Sequence, residues 1–97
     1  MNIKIITFKN LISIICHVLE ETSDGLIVNN PAEIIPNIGK DDPLRVTFAP
    51  FLHYAKESIT GLFLSEKDIL CVCTPVDGMY NHYKNLFEKA KSENMDE

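Results

Sequence analysis

Residues 11–35 read LISIICHVLEETSDGLIVNNPAEII, and this stretch decides the fold class. Its centre, Thr22–Gly25 (TSDG), predicts a hairpin turn, because Asp-Gly supplies the positive φ that tight hairpins need. The residues before the turn, Leu11–Glu21, are rich in Ile and Val, which favours a β-strand. A buried helix is the alternative, but β-branched residues lower helix propensity and no capping residue stands at its start. Leu26–Ile35 then returns as a second strand.

Two features of this hairpin predict curvature. Both alternating faces of Leu11–Glu21 carry apolar residues, and a strand bent into a small barrel would have parts of both faces covered. Pro31 cannot donate a ladder hydrogen bond, so the second strand must be bulged or lie at an edge there.

Outward from the hairpin, the chain offers four more strand segments. Phe8-Lys9-Asn10 predicts a turn in which Asn10 takes the left-handed conformation, and Ser65–Asp68 predicts a tight turn. Leu44–Phe48 and Ile59–Leu64 are the two parts of a long fourth strand, which Ala49–Ser58 interrupts. This fourth strand is therefore expected to be bent, and Ile69–Cys73 is the fifth. The four predicted segments are Asn2–Thr7, Leu44–Phe48, Ile59–Leu64 and Ile69–Cys73.

The C-terminal segment has the pattern of a helix. Thr74 is placed to cap its start, with Pro75 at the first helical position. The helix is expected over residues 75–92, followed by a frayed tail at 93–97. One apolar stripe at helical spacing supports this prediction and consists of Met79, Tyr80, Tyr83, Leu86, Phe87 and Ala90.

Length and composition limit the class of protein. At 97 residues the chain is expected to form one domain, residues 1–97. A formal net charge of −5 means that it lacks the general basic surface of nucleic-acid-binding proteins. No apolar run approaches the roughly 20 residues needed to span a bilayer, and three cysteines form no disulfide framework. We therefore expect a soluble cytoplasmic protein with no membrane partner.

The residues that usually carry catalysis or bind metals are scattered. Cys71 and Cys73 would share one face of a strand, but zinc usually draws ligands from two close pairs and no second pair has suitable spacing. His17, His53 and His82 fall on a strand, a loop and a helix. No nucleophile motif or Gly-rich phosphate loop is present. We expect no catalytic residue, no metal and no cofactor, and we expect the cysteines to be reduced.

Three aromatic residues lie around Pro50, namely Phe48, Phe51 and Tyr54. They could form a platform on which bases stack. The interpretation that we favour is that they fill the bend of a long strand or a subunit interface.

Four stretches carry a resemblance to a known family: IKIITFKNLISI (3–14), GLIVNNPAEIIP (25–36), APFLHYA (49–55) and LSEKDILCVCTPVDGMYNHYKNLF (64–87). In order and spacing, from Ile3 to Phe87, they resemble the Sm-like proteins of marine phages and related environmental sequences. The resemblance implies a strongly bent five-stranded antiparallel barrel, mostly β, with a C-terminal α-helix in this chain. It also implies a location in the cytoplasm, that of a phage-infected bacterial host.

The resemblance further implies a homo-oligomeric ring, in which the fourth strand of one subunit pairs with the fifth strand of its neighbour. Ring closure removes exposed strand edges, which are otherwise a hazard. The candidate interface residues are Ile59, Leu62, Leu64, Ile69, Cys71, Val72 and Cys73.

Sm proteins bind RNA through an Asp–Asn pair near the second hairpin and an Arg-Gly pair in the last tight turn. The corresponding positions here are Glu21 and Gly25 at the hairpin and Ser65-Glu66 in the turn, and these departures argue against uridine-type recognition. The candidate RNA-loop positions are Glu21, Asp24, Gly25, Ser65, Glu66 and Lys67. Two hypotheses stay open: a non-enzymatic ring-forming module that associates with RNA, and a structural or protein-binding assembly module with no nucleic-acid role.

Overall fold

Six β-strands and two helices make up the structure, a computed structural model that describes residues 2–36 and 46–95, with residues 87–95 described by their backbone alone. The expected mostly-β chain with a C-terminal helix is confirmed. A 3-10 turn at Glu66–Asp68 separates the last two strands. The elements in chain order are β1 (Ile3–Phe8), β2 (Ser13–Thr22), β3 (Gly25–Pro36), β4 (Val46–Pro50), α1 (Glu57–Thr60), β5 (Leu62–Ser65), β6 (Ile69–Cys73) and α2 (Asp77–Met95).

All strand pairs are antiparallel, in the order β4-β3-β2-β1-β6, and β5 pairs with the first half of β3. Among the described residues β5 and β6 do not pair, so the sheet is open and not the closed barrel that we expected. The predicted fourth strand is divided into β4 and β5 by a turn and α1. Ile59 and Thr60 belong to that helix, which leaves β5 four residues long. Leu44 and Arg45 lie outside the described residues.

The predicted irregularity of the second hairpin strand is confirmed as a bulge in β3. Ile15 pairs with Ala32 and His17 pairs with Asn29. Between these two pairs, β3 contains one more residue than β2. Asn30 takes a positive φ of 50° there, directly before Pro31. Because side chains alternate along a strand, one extra residue exchanges the two faces of β3.

This exchange of faces directs Val28 and Ala32, which would share one face of a regular strand, towards two different apolar clusters. On the Ile6 face, the buried residues are Ile6, Ile14, Cys16, Val18, Val28 and Leu64. On the opposite, Ile15 face, Ile3 and Ile15 pack with Tyr83 of α2, and Ala32, Ile34 and Phe48 surround them. The first half of β3 therefore supports one cluster and its second half the other.

The hairpin at Thr22–Gly25 forms as predicted, but not for the predicted reason. Neither Asp24 nor Gly25 has a positive φ. The Thr22 hydroxyl oxygen instead accepts hydrogen bonds from the backbone N–H groups of Asp24 (3.3 Å) and Gly25 (3.1 Å). A Cβ atom at Gly25 would lie 2.0 Å from the carbonyl oxygen of Leu64. Glycine is therefore required because β5 approaches closely, not because the turn needs its conformational freedom.

The β1–β2 turn shows a similar difference. The left-handed residue is Leu11, with φ 71°, and not Asn10. The side-chain oxygen of Asn10 accepts a hydrogen bond from the backbone N–H of Ile12 at 3.0 Å. Asn10 thus stabilises the turn through its side chain, in an Asx-type arrangement.

The C-terminal helix begins later than predicted. Its first backbone hydrogen bond runs from the N–H of Tyr80 to the carbonyl of Val76, at 3.0 Å, and α2 starts at Asp77. Thr74 is not the cap, since its hydroxyl accepts a hydrogen bond from the Lys4 ammonium group at 2.9 Å. The helix continues to Met95, three residues beyond the predicted end at residue 92.

Only part of the predicted stripe on α2 can be assessed. Tyr83 is buried and Tyr80 packs beside it on the Ile15 face, as expected. Leu86 is largely exposed. The side chains of Phe87 and Ala90, like residues 96–97, lie outside the described part of the chain.

The close approach at Gly25 gives a stability test. Gly25→Ala should lower the free energy of unfolding by about 2 kcal/mol, because the obstructing atom belongs to the backbone and overpacking of this kind costs roughly 1–3 kcal/mol. Gly78→Ala is the matched control, since a Cβ atom there meets nothing within 4 Å; in a helix it should be neutral or slightly stabilising. Urea unfolding of both variants measures the difference, and equal stabilities would contradict the assignment.

Candidate functional site

The β2–β3 hairpin and the 3-10 turn lie against each other at one end of the sheet. The backbone N–H of Glu66 donates to the carbonyl of Asp24 at 2.9 Å, which joins the two loops directly. The Ser65 hydroxyl oxygen accepts a hydrogen bond from the N–H of Lys67 at 3.3 Å and caps the turn. The two loops that the sequence singled out therefore form one surface.

A groove of about 440 Å³ opens between this surface and β6, and we call it the hairpin groove. Glu21 and Glu66 contribute carboxylates to it. The rest of its lining is mostly apolar and includes Leu26, Ile69, Leu70 and Val72. Two acidic groups over an apolar floor repel a phosphate backbone and suit an apolar or cationic segment of a protein.

The candidate RNA-loop positions are brought together, although they play different parts. Glu21, Gly25 and Glu66 line the hairpin groove. Asp24 contributes its carbonyl to the contact between the loops, and Ser65 caps the turn. The exposed Lys67 is the one cation among residues 20–25 and 65–68, whose carboxylates are Glu20, Glu21, Asp24, Glu66 and Asp68.

The β6 part of the predicted interface is largely exposed. Cys71, Val72 and Cys73 pair with β1 on one side and are accessible, whereas Ile69 packs against the Ile6-face cluster. Leu70, which we did not predict, is 57% exposed. Thr7 pairs with Cys71 and Phe8 pairs with Ile69, which leaves Leu70 as the extra residue of a bulge. The sequence has no local signal for this bulge.

The residues predicted for the β5 part of the interface lie in different environments. Leu64 is only 8% exposed and belongs to the core, and Leu62 is half-buried against the same cluster. Ile59 is exposed but lies on α1 rather than on a strand. The exposed apolar residue of β5 is Phe63, which strand alternation turns away from Leu64 and which we missed.

The aromatic residues around Pro50 separate into three environments. Phe48 packs against Tyr83 and also against His82, whose ring is tilted by 36° with its centroid 4.7 Å away. Phe51 stacks on Phe8 at 6.3 Å and borders the Ile6-face cluster. Tyr54 is 82% exposed. Packing thus accounts for Phe48 and Phe51, as we favoured, and the three rings do not form a common platform.

Two buried groups have strongly shifted pKa values. Burial raises the pKa of the Cys16 thiol from 9.0 to about 12, because the thiolate would lose its solvation. Burial also raises the pKa of Tyr83, whose hydroxyl donates to the carbonyl of Asn30 at 2.5 Å. Both groups are therefore neutral and serve the packing of the two clusters.

Metal-binding clusters and membrane-spanning helices are both absent from the described residues. No group of three or more His, Cys, Asp or Glu residues is arranged to hold a metal ion there. In the same part of the chain, none of the helices has the length and apolarity required to cross a membrane.

Comparison with known proteins adds no family to this description. Neither a scan against models of protein families nor a search of curated proteins finds a match to the chain.

The shifted pKa of Cys16 predicts how stability depends on pH. The folded-state pKa lies above the unfolded value, so this contribution is complete below about pH 9 and is lost as the pH rises towards 12. In that window the group should cost about 1.4 kcal/mol of unfolding free energy per pH unit. Cys16→Ala should reduce this slope although it lowers stability overall, and what remains above about pH 10 belongs to Tyr83, whose pKa is also raised. Cys71→Ala, at an exposed position, should retain the contribution of Cys16. Urea unfolding across the pH range measures the slopes, and an unchanged slope in Cys16→Ala would refute the assignment.

Proposed function

We propose that this chain is a non-enzymatic assembly module of the Sm-like kind, whose copies pair β5 of one subunit with β6 of the next to form a closed ring. The observation that carries the proposal is the open sheet. Within the described residues, β5 pairs only with β3 and β6 pairs only with β1. Each chain therefore offers two strand edges at different ends of one sheet, which is the arrangement a head-to-tail contact requires.

The two edges have matching lengths. The bulge at Leu70 leaves Cys71–Cys73 as the regular part of β6, and β5 spans Leu62–Ser65. Bulges and short strands are devices that discourage unlimited edge pairing. Here they restrict the available edge to three or four residues, which favours one defined neighbour over open-ended aggregation.

The side chains beside these edges are apolar. Val72 pairs with the fully buried Ile6 but is itself 46% exposed. The reason is that no strand of the described chain pairs with the edge of β6 that faces away from β1. Leu70 and Phe63 are similarly exposed. Pairing β5 of a neighbour with β6 would bury these side chains and cover the apolar floor of the hairpin groove, at a gain of roughly 25 cal/mol per Å² removed from water.

The charges of this surface favour protein over nucleic acid as its partner. The two loops beside the hairpin groove carry five carboxylates, and Lys67 is their one cation. Binding to a phosphate backbone depends on cations that displace its counterions. We therefore place the assembly role first and expect RNA association to be weak.

The placement of reactive groups supports a role without catalysis. His17 lies on β2, His53 in the turn before α1 and His82 on α2, where its ring contacts Phe48. The Cys16 thiol is fully buried in the Ile6-face cluster. Each of these groups either packs against other side chains or lies apart from the others. Nucleophilic catalysis, by contrast, requires a nucleophile and its base within hydrogen-bonding distance of each other.

The assembly proposal is tested by placing a charge on the edge. Val72→Lys should convert the oligomer to a monomer of about 11.0 kDa, because an ammonium group on an edge strand opposes pairing. Val76→Lys is the matched control, since Val76 is also exposed but precedes α2, and it should remain oligomeric. Size-exclusion chromatography with light scattering gives the masses. A monomeric unaltered chain, or an unchanged mass in Val72→Lys, would contradict the proposal.

RNA binding is tested separately on the unaltered chain. We expect a dissociation constant for short uridine-rich RNA no tighter than the roughly 10⁻⁴ to 10⁻⁶ M typical of non-specific binding at physiological salt. Fluorescence anisotropy over a series of salt concentrations measures both the affinity and the number of phosphates contacted. A sub-micromolar constant that Glu66→Arg leaves unchanged would show that RNA binds at another surface and that nucleic acid is a true partner.

A further inference from the structure

Two of the three cysteines lie together on the strand edge used in the proposed assembly. Cys71 pairs with Thr7 and Cys73 pairs with Ile5, so both thiols project from the Ile15 face of β6. Both are exposed, and they are neighbours on that face, with only Val72 between them in the sequence. An exposed pair of adjacent thiols is a chemical feature that neither the packing nor the pairing of β6 explains.

The third cysteine cannot take part. Cys16 is fully buried on the opposite face of the sheet, and its thiol donates to the carbonyl of Lys4 at 3.9 Å. Reagents in solution therefore meet Cys71 and Cys73 and not Cys16.

The neighbouring Cys71 makes the Cys73 thiol harder to deprotonate. The hydrogen bond with Cys71, together with the repulsion between two neighbouring thiolates, raises the pKa of Cys73. The pair therefore favours a state with one thiolate and one thiol over a state with two thiolates. In such a state one sulfur can attack a disulfide while the other keeps its proton until the second step.

Linking the two sulfur atoms would deform the strand. Cβ atoms two residues apart on one face of a regular strand are about 6.6 Å apart, whereas a disulfide needs a Cβ separation of about 3.8 Å. Closing this gap must pucker β6 at Val72, between the two cysteines. An edge strand can bend in this way because it is held on one side only, here through the pairing of Val72 with Ile6.

We propose that Cys71 and Cys73 form a redox-active dithiol, which a small-molecule disulfide converts to an intramolecular disulfide, and that the puckered edge then no longer pairs with a second copy of the chain. The second half of this inference rests on the proposed assembly through β6. The first half concerns the isolated chain alone.

The reaction balances with glutathione disulfide as the oxidant. One cysteine thiolate attacks it, which forms a mixed disulfide and releases one glutathione thiolate. The remaining cysteine, after losing its proton to solvent, attacks the protein sulfur of that mixed disulfide and releases the second glutathione. The protein loses two protons and two electrons, equivalent to two hydrogen atoms, and glutathione disulfide gains them to become two molecules of glutathione. Because the product is strained, excess reduced glutathione should reverse the reaction readily.

The experiment treats the purified chain with glutathione disulfide under native conditions and reads two quantities. Intact mass spectrometry reports the covalent product, and light scattering reports the assembly. The unaltered chain and Cys16→Ala should each lose two hydrogen atoms, and the oligomer of the unaltered chain should fall to the mass of one chain, 11.0 kDa. Cys71→Ser and Cys73→Ser should each take up one glutathione instead, because no second thiol can resolve the mixed disulfide.

The outcomes separate the two halves of the inference. No reaction, two glutathiones on one chain, or disulfides between chains would overturn the dithiol. An intramolecular disulfide in an oligomer of unchanged mass would overturn the switch but leave the dithiol in place. A reduced chain that is already monomeric would refute the assembly proposal and the switch with it, while the mass spectrum would still decide the dithiol.

Discussion

The single constraint on which the rest of the structure depends is the bulge in β3 at Asn30. One extra residue turns Val28 towards one apolar cluster and Ala32 towards the other, although the two would share one face of a regular strand. The bulge also frees the carbonyl of Asn30 from the ladder. The Tyr83 hydroxyl donates to this carbonyl, and the C-terminal helix is thereby attached to the sheet at the point where its faces exchange.

β3 pairs with two different strands along one of its edges, and this explains why the sheet stays open. Its first half pairs with β5 and its second half with β4, so the chain must pass from one to the other through a turn and α1. β5 approaches β3 so closely at Gly25 that no side chain fits there. The short 3-10 turn then sends β6 to the far edge of the sheet, beside β1. The hairpin groove lies between β6 and the surface formed by the β2–β3 hairpin and the 3-10 turn.

The side chains at the edges of β5 and β6 and in the hairpin groove indicate which kind of partner this chain would bind. Apolar side chains beside an unpaired strand favour a protein partner, and the carboxylates of Glu21 and Glu66 disfavour a phosphate backbone. The dithiol of Cys71 and Cys73 lies on the same three residues that would pair with a neighbour. Main-chain pairing requires a regular strand and a disulfide between these residues requires a bent one, so the two states exclude each other.

The sequence by itself determined the hairpin at Thr22–Gly25, the irregularity near Pro31 and the presence of a C-terminal helix. Turn residues, a missing N–H and an apolar stripe act within a few residues of where they stand. Only the tertiary structure decided that Leu64 is core and Phe63 exposed, that Gly25 is required by a neighbouring strand, and that β5 and β6 remain apart. These outcomes depend on the faces of β3 and on contacts between segments about 40 residues apart in the chain, for which no local pattern carries a signal.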